Sequence, residues 1–288
     1  MAGIQPVNEL LYPVIKWIII IFAPGNNETQ MRALKFFFLV IPCFALAQLN
    51  ESDSLKTKAS LALTGFWQDG NVETLIFRTK LDVSTALWGN TVFKTQNSYV
   101  YQAFGGDKAD EDILSLNFLY FNPKRKLYPL LLGFVSSNFR REIDARYLLG
   151  GGVSYQPYDQ NNNWLKFSLT TEFEHTNFNL SNFNFDEYDG NSRIDTWRAT
   201  IWMNGKYYLF KKHMILTHEM YFQPSLLDSN NFRWSADVGM EFPIWKYLNF
   251  KINYLRSSER IVIEGQKQDD QFLTFGFTLK SYDEQPKK

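Results

Sequence analysis

Apolar and polar residues alternate along most of the chain after residue 57, a pattern typical of β-strands with two different faces. The alternation is clearest between residues 164 and 175. There, Leu165 and Leu169 share one face, whereas Lys166 and Glu172 share the other. Charged side chains cannot face lipid, so this second face must look into a lumen or into water.

The same period of two returns in about twelve segments of roughly ten residues, the length that a tilted strand needs to cross a bilayer. In residues 113–122, for example, Leu114 and Leu116 share one face, and Ser115 and Asn117 share the other. The segments are predicted to begin near Lys58, Val72, Thr91, Asp112, Leu130, Arg146, Trp164, Arg193, Met214, Arg233, Leu248 and Gln271. The pattern predicts an all-β fold, a transmembrane antiparallel β-barrel of about 12 strands (about 10 to 14 allowed) in an up-and-down meander.

The connections between these segments alternate in length. The short ones are 88–90, 122–126, 210–213 and 243–246, and the long ones are 105–111, 177–192, 224–231 and 259–270. Segment 157–163 is a longer exception on the short side. Short turns on one side and long loops on the other are typical of outer-membrane barrels, with the short turns in the periplasm. Six aromatic residues flank the short turns and are expected to form an interfacial girdle: Tyr158, Trp164, Tyr207, Tyr208, Trp245 and Tyr247.

Residues 31–47 have the layout of a secretory signal peptide. Arg32 and Lys35 precede an apolar run that ends in small residues at Ala47. We expect cleavage between Ala47 and Gln48, which would export the rest of the chain. The expected location is therefore the outer membrane of a Gram-negative bacterium.

The predicted division of the chain is an upstream extension at 1–30, the signal peptide at 31–47, an N-terminal periplasmic lead at 48–57, the barrel at 58–280 and a polar C-terminal tail at 281–288. The upstream extension fits this scheme poorly. Its apolar run is shorter than the roughly 20 residues of a spanning helix, and Glu9 stands where a signal peptide would be positive. We interpret it as the product of a start codon assigned too early, with an interfacial anchor as the alternative.

Composition narrows the function further. Lysine plus arginine and aspartate plus glutamate both total 30, so no basic excess favours a nucleic-acid partner. Cys43, the single cysteine, lies in the predicted signal peptide, and cleavage would exclude disulfides and thiolate chemistry. Aromatic residues make up 17% of the chain. After residue 47 the sequence has no apolar run long enough to predict a membrane-spanning helix.

Two stretches carry a family resemblance. Residues 64–74, with the turn Gly70-Asn71, resemble the opening hairpin of an outer-membrane barrel family of unknown function that includes salt-induced outer membrane proteins. Residues 146–155 resemble the glycine-rich central strand of that family. The resemblance extends over residues 58–280 and implies an outer-membrane barrel without an agreed activity or catalytic residues. Four glycines are assigned to tight turns or close strand approach: Gly70, Gly150, Gly151 and Gly152.

Charged residues on the predicted inner face are the candidate site. They are Arg78, Lys80, Asp82, Lys94, Lys166, Glu172, Glu174, Arg198, Glu219, Asp237, Glu241 and Lys251. Opposed charges in a barrel of this size form either a salt-bridged plug or the lining of a narrow polar channel. The sequence leaves both open.

Catalytic, cofactor and metal sites are not expected. The membrane enzyme to consider is a lipid hydrolase with a Ser/His pair, but the sequence has no G-x-S-x-G. Glu172 and Glu174 could act as an acid/base pair, although pairing with the inner cations explains them more simply. His175 should point to the opposite face, which weakens metal binding. We therefore predict a protein that is not an enzyme.

The expected function is passive. The chain would be either a narrow pore for ions and small solutes or a structural protein that maintains the envelope. Surface binding or adhesion through the long loops, above all 177–192, is the alternative. The expected partners are outer-membrane lipids and the barrel assembly machinery, with no nucleic acid and no cofactor, and the barrel is expected to be a monomer.

Overall fold

A closed antiparallel β-barrel dominates the computed structural model, which describes residues 50–51, 57–70, 73–160 and 162–281. Within these residues, twelve strands follow one another in meander order, and the first strand pairs with the last. The predicted fold class and strand number are confirmed. The predicted signal peptide, the upstream extension, Cys43, Asn71, most of the lead and all but the first residue of the tail lie outside the described residues.

The strands are longer than the alternating stretches that predicted them, at 11 to 18 residues. Their bounds are β1 Lys58–Gln68, β2 Thr74–Ala86, β3 Thr91–Phe104, β4 Asp107–Phe121, β5 Leu127–Asn138, β6 Ile143–Gln160, β7 Asn163–Phe178, β8 Arg193–Leu209, β9 Met214–Pro224, β10 Phe232–Trp245, β11 Leu248–Glu259 and β12 Asp269–Lys280.

The two ends of the barrel differ in the length of their connections. One end, here the short-turn end, has the turns 87–90, 122–126, 161–162, 210–213 and 246–247. The other, the long-loop end, has 69–73, 105–106, 139–142, 179–192, 225–231 and 260–268. The predicted asymmetry is present, with two corrections. The connection predicted at 105–111 is a two-residue turn, because β4 begins at Asp107. The connection predicted at 157–163 is also short, because β6 continues past a bulge to Gln160.

Burial follows the predicted period of two on most strands. On β7, Lys166 and Glu172 are buried in the barrel interior, whereas Leu169 and Phe173 are exposed outside. The rows of β10 and β12 follow the same rule, except that Phe272 of β12 lies on the inner row. A closed barrel leaves no free sheet edge, so every strand is paired on both sides.

Strand β4 reverses this arrangement. Its apolar residues Leu116 and Phe118 face the interior, and Ser115 and Asn117 face outward. The interior residues join an apolar cluster made of Val92, Leu116, Phe118, Tyr120, Tyr128, Leu130, Leu132 and Trp202. Phe118 contacts Trp202 across the barrel, edge to face, with ring centroids 6.0 Å apart. One sector of the interior is therefore a hydrophobic core.

The predicted aromatic girdle is wrong for Trp164, and Tyr208 lies on the same inward row of β8 as the buried Lys206. Trp164 lies inside the barrel, with 2% of its surface exposed, because it shares an even-numbered row with Lys166. The ammonium group of Lys166 lies 5.9 Å from the Trp164 ring. Trp245 and Tyr247, in contrast, are exposed at the short-turn end as expected for a girdle.

The glycines of β6 allow its backbone to approach β7 closely. A Cβ added to Gly150 would lie 2.1 Å from the carbonyl oxygen of Thr171, and one added to Gly152 would lie 2.0 Å from that of Leu169. At Gly151 the nearest atoms would be 3.0 Å away. Gly70 lies in the first long-loop-end turn with a φ of 128°, in the left-handed half of conformational space.

We expect Gly152→Ala to destabilise the barrel by about 1–3 kcal/mol, the usual cost of forcing extra atoms into a packed site. The matched control is Gly133→Ala in β5, where an added Cβ would meet no atom within 4 Å. Urea unfolding followed by tryptophan fluorescence compares the two variants with the wild type. Equal free energies of unfolding for Gly152→Ala and Gly133→Ala would contradict the close approach of β6 to β7.

Candidate functional site

The interior-facing rows hold all twelve of the charged residues singled out from the sequence. They come from seven strands: Arg78, Lys80 and Asp82 from β2, Lys94 from β3, Lys166, Glu172 and Glu174 from β7, Arg198 from β8, Glu219 from β9, Asp237 and Glu241 from β10, and Lys251 from β11. Most of them are paired with one another or with charges that the alternation alone did not single out.

Glu174 is the centre of the densest ion-pair cluster. Its Oε2 atom lies 2.6 Å from Nε of Arg198 and 2.6 Å from Nη2 of Arg233. Arg146 lies 3.7 Å from its Oε1 atom and is also paired with Glu259. These five residues, here the Glu174 cluster, connect β6, β7, β8, β10 and β11 across the interior. Arg146, Arg233 and Glu259 were missed from the sequence, although their strand parity would have placed them inside.

Burial decides how tightly the Glu174 cluster is held. Glu174 and Arg198 expose 1% and 2% of their surface, and Arg233 exposes 4%. Arg198 satisfies its remaining N–H groups on Asn231, at 2.7 Å from the side-chain oxygen, and on the carbonyl oxygen of Gln223. Such a network costs desolvation energy and is stable only while every charge keeps its partners.

A second group of charges occupies the middle of the barrel. Arg78 pairs with Asp237 at 2.9 Å, and Lys80 pairs with Glu219 at 3.2 Å. Gln96 of β3 also donates a hydrogen bond to Glu219. These ion pairs join β2 to β9 and β10 across the lumen. They therefore narrow the lumen.

A residue upstream of the first strand lies inside the short-turn end. Glu51, which belongs to the predicted periplasmic lead, lies fully buried inside the barrel. Its Oε1 atom is 2.5 Å from Nζ of Lys166 and 2.7 Å from the hydroxyl of Tyr128, which donates to it. Tyr120 shares Lys166 as a partner. No sequence motif marks Glu51, because its partners lie on β5 and β7.

Glu241 forms ion pairs with two lysines at this end. Lys280 lies 3.2 Å from its Oε2 atom, and Lys251 lies 3.9 Å from Oε1. Asn249 donates a hydrogen bond of 2.8 Å to the same carboxylate. Glu172, in contrast, is bound by hydroxyl groups, since Thr170 and Thr200 both donate to it.

Two loops cover the mouth at the long-loop end. Phe183 of loop 179–192 forms an antiparallel bridge with Ile263 of loop 260–268. Both belong to an apolar cluster made of Ile143, Phe178, Phe183, Ile194, Ile261 and Ile263. Part of the loop that was expected to be a solvated or binding surface is therefore used to cover the barrel.

Polar contacts hold the same cover in place. Arg141, on the turn 139–142, lies 2.6 Å from Asp270 on the opposite side of the mouth. Tyr188 donates a hydrogen bond of 2.5 Å to Asp228 in the neighbouring loop. Burial and this bond to a carboxylate raise the pKa of Tyr188 to about 12, so its hydroxyl stays protonated at neutral pH.

Between the cover and the short-turn end lies a cavity of about 210 Å³. One wall is apolar and includes Leu116, Phe134 and Trp202. The cavity is also lined by six charged residues: Arg78, Arg146, Arg233, Glu219, Asp237 and Glu259. The cavity is the lumen that remains once the ion pairs are formed.

The histidines and carboxylates do not gather into a reactive group in the described part of the chain. No cluster of three or more His, Cys, Asp or Glu side chains there has the geometry of a metal site. His175 faces outward, as expected, and contacts Asp195 at 2.6 Å. His218 also faces outward and stacks on Tyr207. Among the same residues, no helix is long and apolar enough to cross a membrane.

Comparison with known proteins places the chain in a family. The family model described as "Protein of unknown function, DUF481" matches residues 61–280, which confirms the resemblance stated from the sequence. The NanC porin structure has a TM-score of 0.43 and 10% identity, over 76% of this chain and 97% of that chain. The translocator domain of the autotransporter NalP from Neisseria meningitidis has a TM-score of 0.41 and 12% identity, over 77% and 86%. No curated protein has significant similarity to the chain.

We expect Glu174→Gln to lower the free energy of unfolding by about 3–5 kcal/mol, because it leaves buried arginines without their carboxylate. The control is Asp195→Asn, which breaks a half-exposed outer pair with His175 and should change stability by less than about 1 kcal/mol. Both are measured by urea unfolding in detergent. A similar loss of unfolding free energy in the two variants would mean that the interior ion pairs contribute no more to stability than surface ion pairs.

Proposed function

This chain belongs to the DUF481 family of unknown function, and we propose that it is a closed outer-membrane β-barrel that maintains the cell envelope. The observation that carries the proposal is the Glu174 cluster, whose buried charges cross the lumen and pair with one another. An open diffusion pore keeps its charged lining in water, whereas these side chains are withdrawn from water and bonded to each other.

The outer surface supports a position within a bilayer. Large apolar side chains on the outward rows are strongly exposed, among them Leu131, Leu149, Leu169, Ile201 and Leu273. A closed barrel satisfies all its backbone hydrogen bonds internally, which hydrocarbon requires. The predicted signal peptide and the asymmetry of the connections favour the outer membrane of a Gram-negative bacterium, with the short turns in the periplasm.

Gated permeation is the second candidate, and the cavity of about 210 Å³ favours it. An ion crossing the barrel would have to separate Lys166 from Glu51 at the short-turn end. It would also have to pass the Glu174 cluster and the loop cover. Permeation therefore requires a rearrangement that releases Lys166 from Glu51.

We expect the purified barrel to show no regular conductance steps in a planar lipid bilayer, once heat-modifiable gel mobility has established that it is folded. Glu51→Gln removes the charge that holds Lys166 and should raise the frequency of brief openings if permeation is gated at the short-turn end. Steady, discrete steps from the wild type would contradict the closed barrel.

The control for that experiment is Glu187→Gln, an exposed residue of the loop cover that should leave conductance unchanged. If Glu51→Gln stays as silent as the wild type, the structural role is favoured over gated permeation. Openings in both variants would point to a general loosening of the barrel.

We expect Leu169→Arg to cost about 2–4 kcal/mol in a lipid bilayer, the range for arginine at the midplane of a barrel. Leu169 lies near the middle of β7 and faces outward. Leu127→Arg at the first residue of β5 is the matched control, with an expected cost of about 0–1 kcal/mol near the interface. Folding titrations into vesicles measure both, and equal costs would contradict the proposed depth.

A further inference from the structure

The outward rows of β3 and β4 carry polar residues where neighbouring strands carry apolar ones. Thr95 and Asn97 lie on β3, and Ser115 and Asn117 lie on β4. Thr95 is directly opposite Asn117 in the register, and Asn97 is opposite Ser115. These four residues, here the polar island, are all partly exposed on the outer surface.

Hydrogen bonds join the island into one chain. Asn117 donates to the hydroxyl of Ser115 at 3.0 Å, and Ser115 donates to the amide oxygen of Asn97 at 2.8 Å. Asn97 in turn donates to the hydroxyl of Thr95 at 3.0 Å. The side chains are therefore ordered, and they point along the outer surface of the barrel.

The island lies at the middle of its strands. Phe93 and Leu119 border it toward the short-turn end, and Tyr99 and Ile113 border it toward the long-loop end. If the barrel spans a bilayer, as proposed above, this height corresponds to the hydrocarbon core. Polar groups are costly there unless each one is hydrogen-bonded.

The chain of hydrogen bonds does not use all the polar groups of the island. An asparagine amide has two N–H groups and an oxygen with two lone pairs. In the contacts of the described residues, Asn97 and Asn117 each donate one side-chain N–H. The second N–H of each amide and the amide oxygen of Asn117 have no partner in these contacts. Gly133 lies opposite Asn117 on β5 and has open space where a side chain would be.

The interior explains why the island faces outward. Leu116 and Phe118 alternate with Ser115 and Asn117, and both apolar residues belong to the buried cluster around Trp202. Turning the polar residues inward would expose that cluster, so the reversed orientation of β4 is maintained by its core. The outer surface must then accommodate four polar residues at this height.

We propose that the polar island is the contact surface for a second copy of this barrel within the membrane, in place of the monomer expected from the sequence. A two-fold axis brings the same patch of two copies together. Amides are self-complementary in this arrangement, because the free N–H of one Asn117 can donate to the free oxygen of the other. Lipid chains offer no such partner, and the open space at Gly133 lets the two surfaces approach.

The test is disulfide cross-linking between copies in outer-membrane vesicles. The single native cysteine is first changed in the variant Cys43→Ser, and Ser115→Cys is then added. The matched control is Met240→Cys, an exposed outward residue on β10, six strands away from β4 in the barrel order. We expect a covalent dimer from Ser115→Cys and none from Met240→Cys.

A monomer from both cysteine variants would overturn the proposal, as would cross-linking of Ser115→Cys to a different protein. Asn97→Cys repeats the test at a neighbouring position if Ser115→Cys does not fold. Heat-modifiable mobility is recorded for each variant, so that failure of the barrel to fold, which concerns the proposed function, is distinguished from absence of the dimer.

Asn117→Leu separates a contact surface from a patch that simply faces lipid. We expect energy transfer between labelled copies in vesicles to show association weakened about tenfold, equivalent to about 1.4 kcal/mol, with folding retained. If Asn117→Leu raises the free energy of unfolding and leaves the energy transfer unchanged, Asn117 faces lipid and the proposal is wrong.

Discussion

A charge buried inside a closed β-sheet has to find its partner on another strand, and the structure depends on this requirement. Glu174 meets it through Arg198 on the neighbouring strand β8 and through Arg233 on β10. Removing water from such groups costs several kcal/mol each, and only complete pairing offsets the cost. The pairs therefore link strands whose spacing around the lumen is set by the closure of the barrel.

The interior divides into a charged sector and an apolar one, and the period of two transmits this division to the outer surface. Where β7 places Glu172 and Glu174 inside, it presents apolar side chains outside. Where β4 places Leu116 and Phe118 inside, it presents Ser115 and Asn117 outside. The polar island and the hydrophobic core are thus two faces of the same strand, and neither can change without the other.

Contacts between distant residues narrow the barrel at both ends. At the short-turn end, Glu51 neutralises Lys166 and excludes water from it. At the long-loop end, Phe183 and Ile263 join two loops over the mouth. The cavity between them is lined by both apolar and charged side chains.

The strand number, the asymmetry of the connections and the facing of β7 could be predicted from the sequence, because alternation and turn residues are local properties of a strand. The same parity put each candidate, from Arg78 to Lys251, on an interior row. Only the tertiary structure decided that Glu174 meets Arg198 and Arg233, that Glu51 enters the interior, and that β4 and Trp164 turn their large side chains inward. Those outcomes depend on which residues face one another across the lumen, and that is set by the closure of the whole barrel.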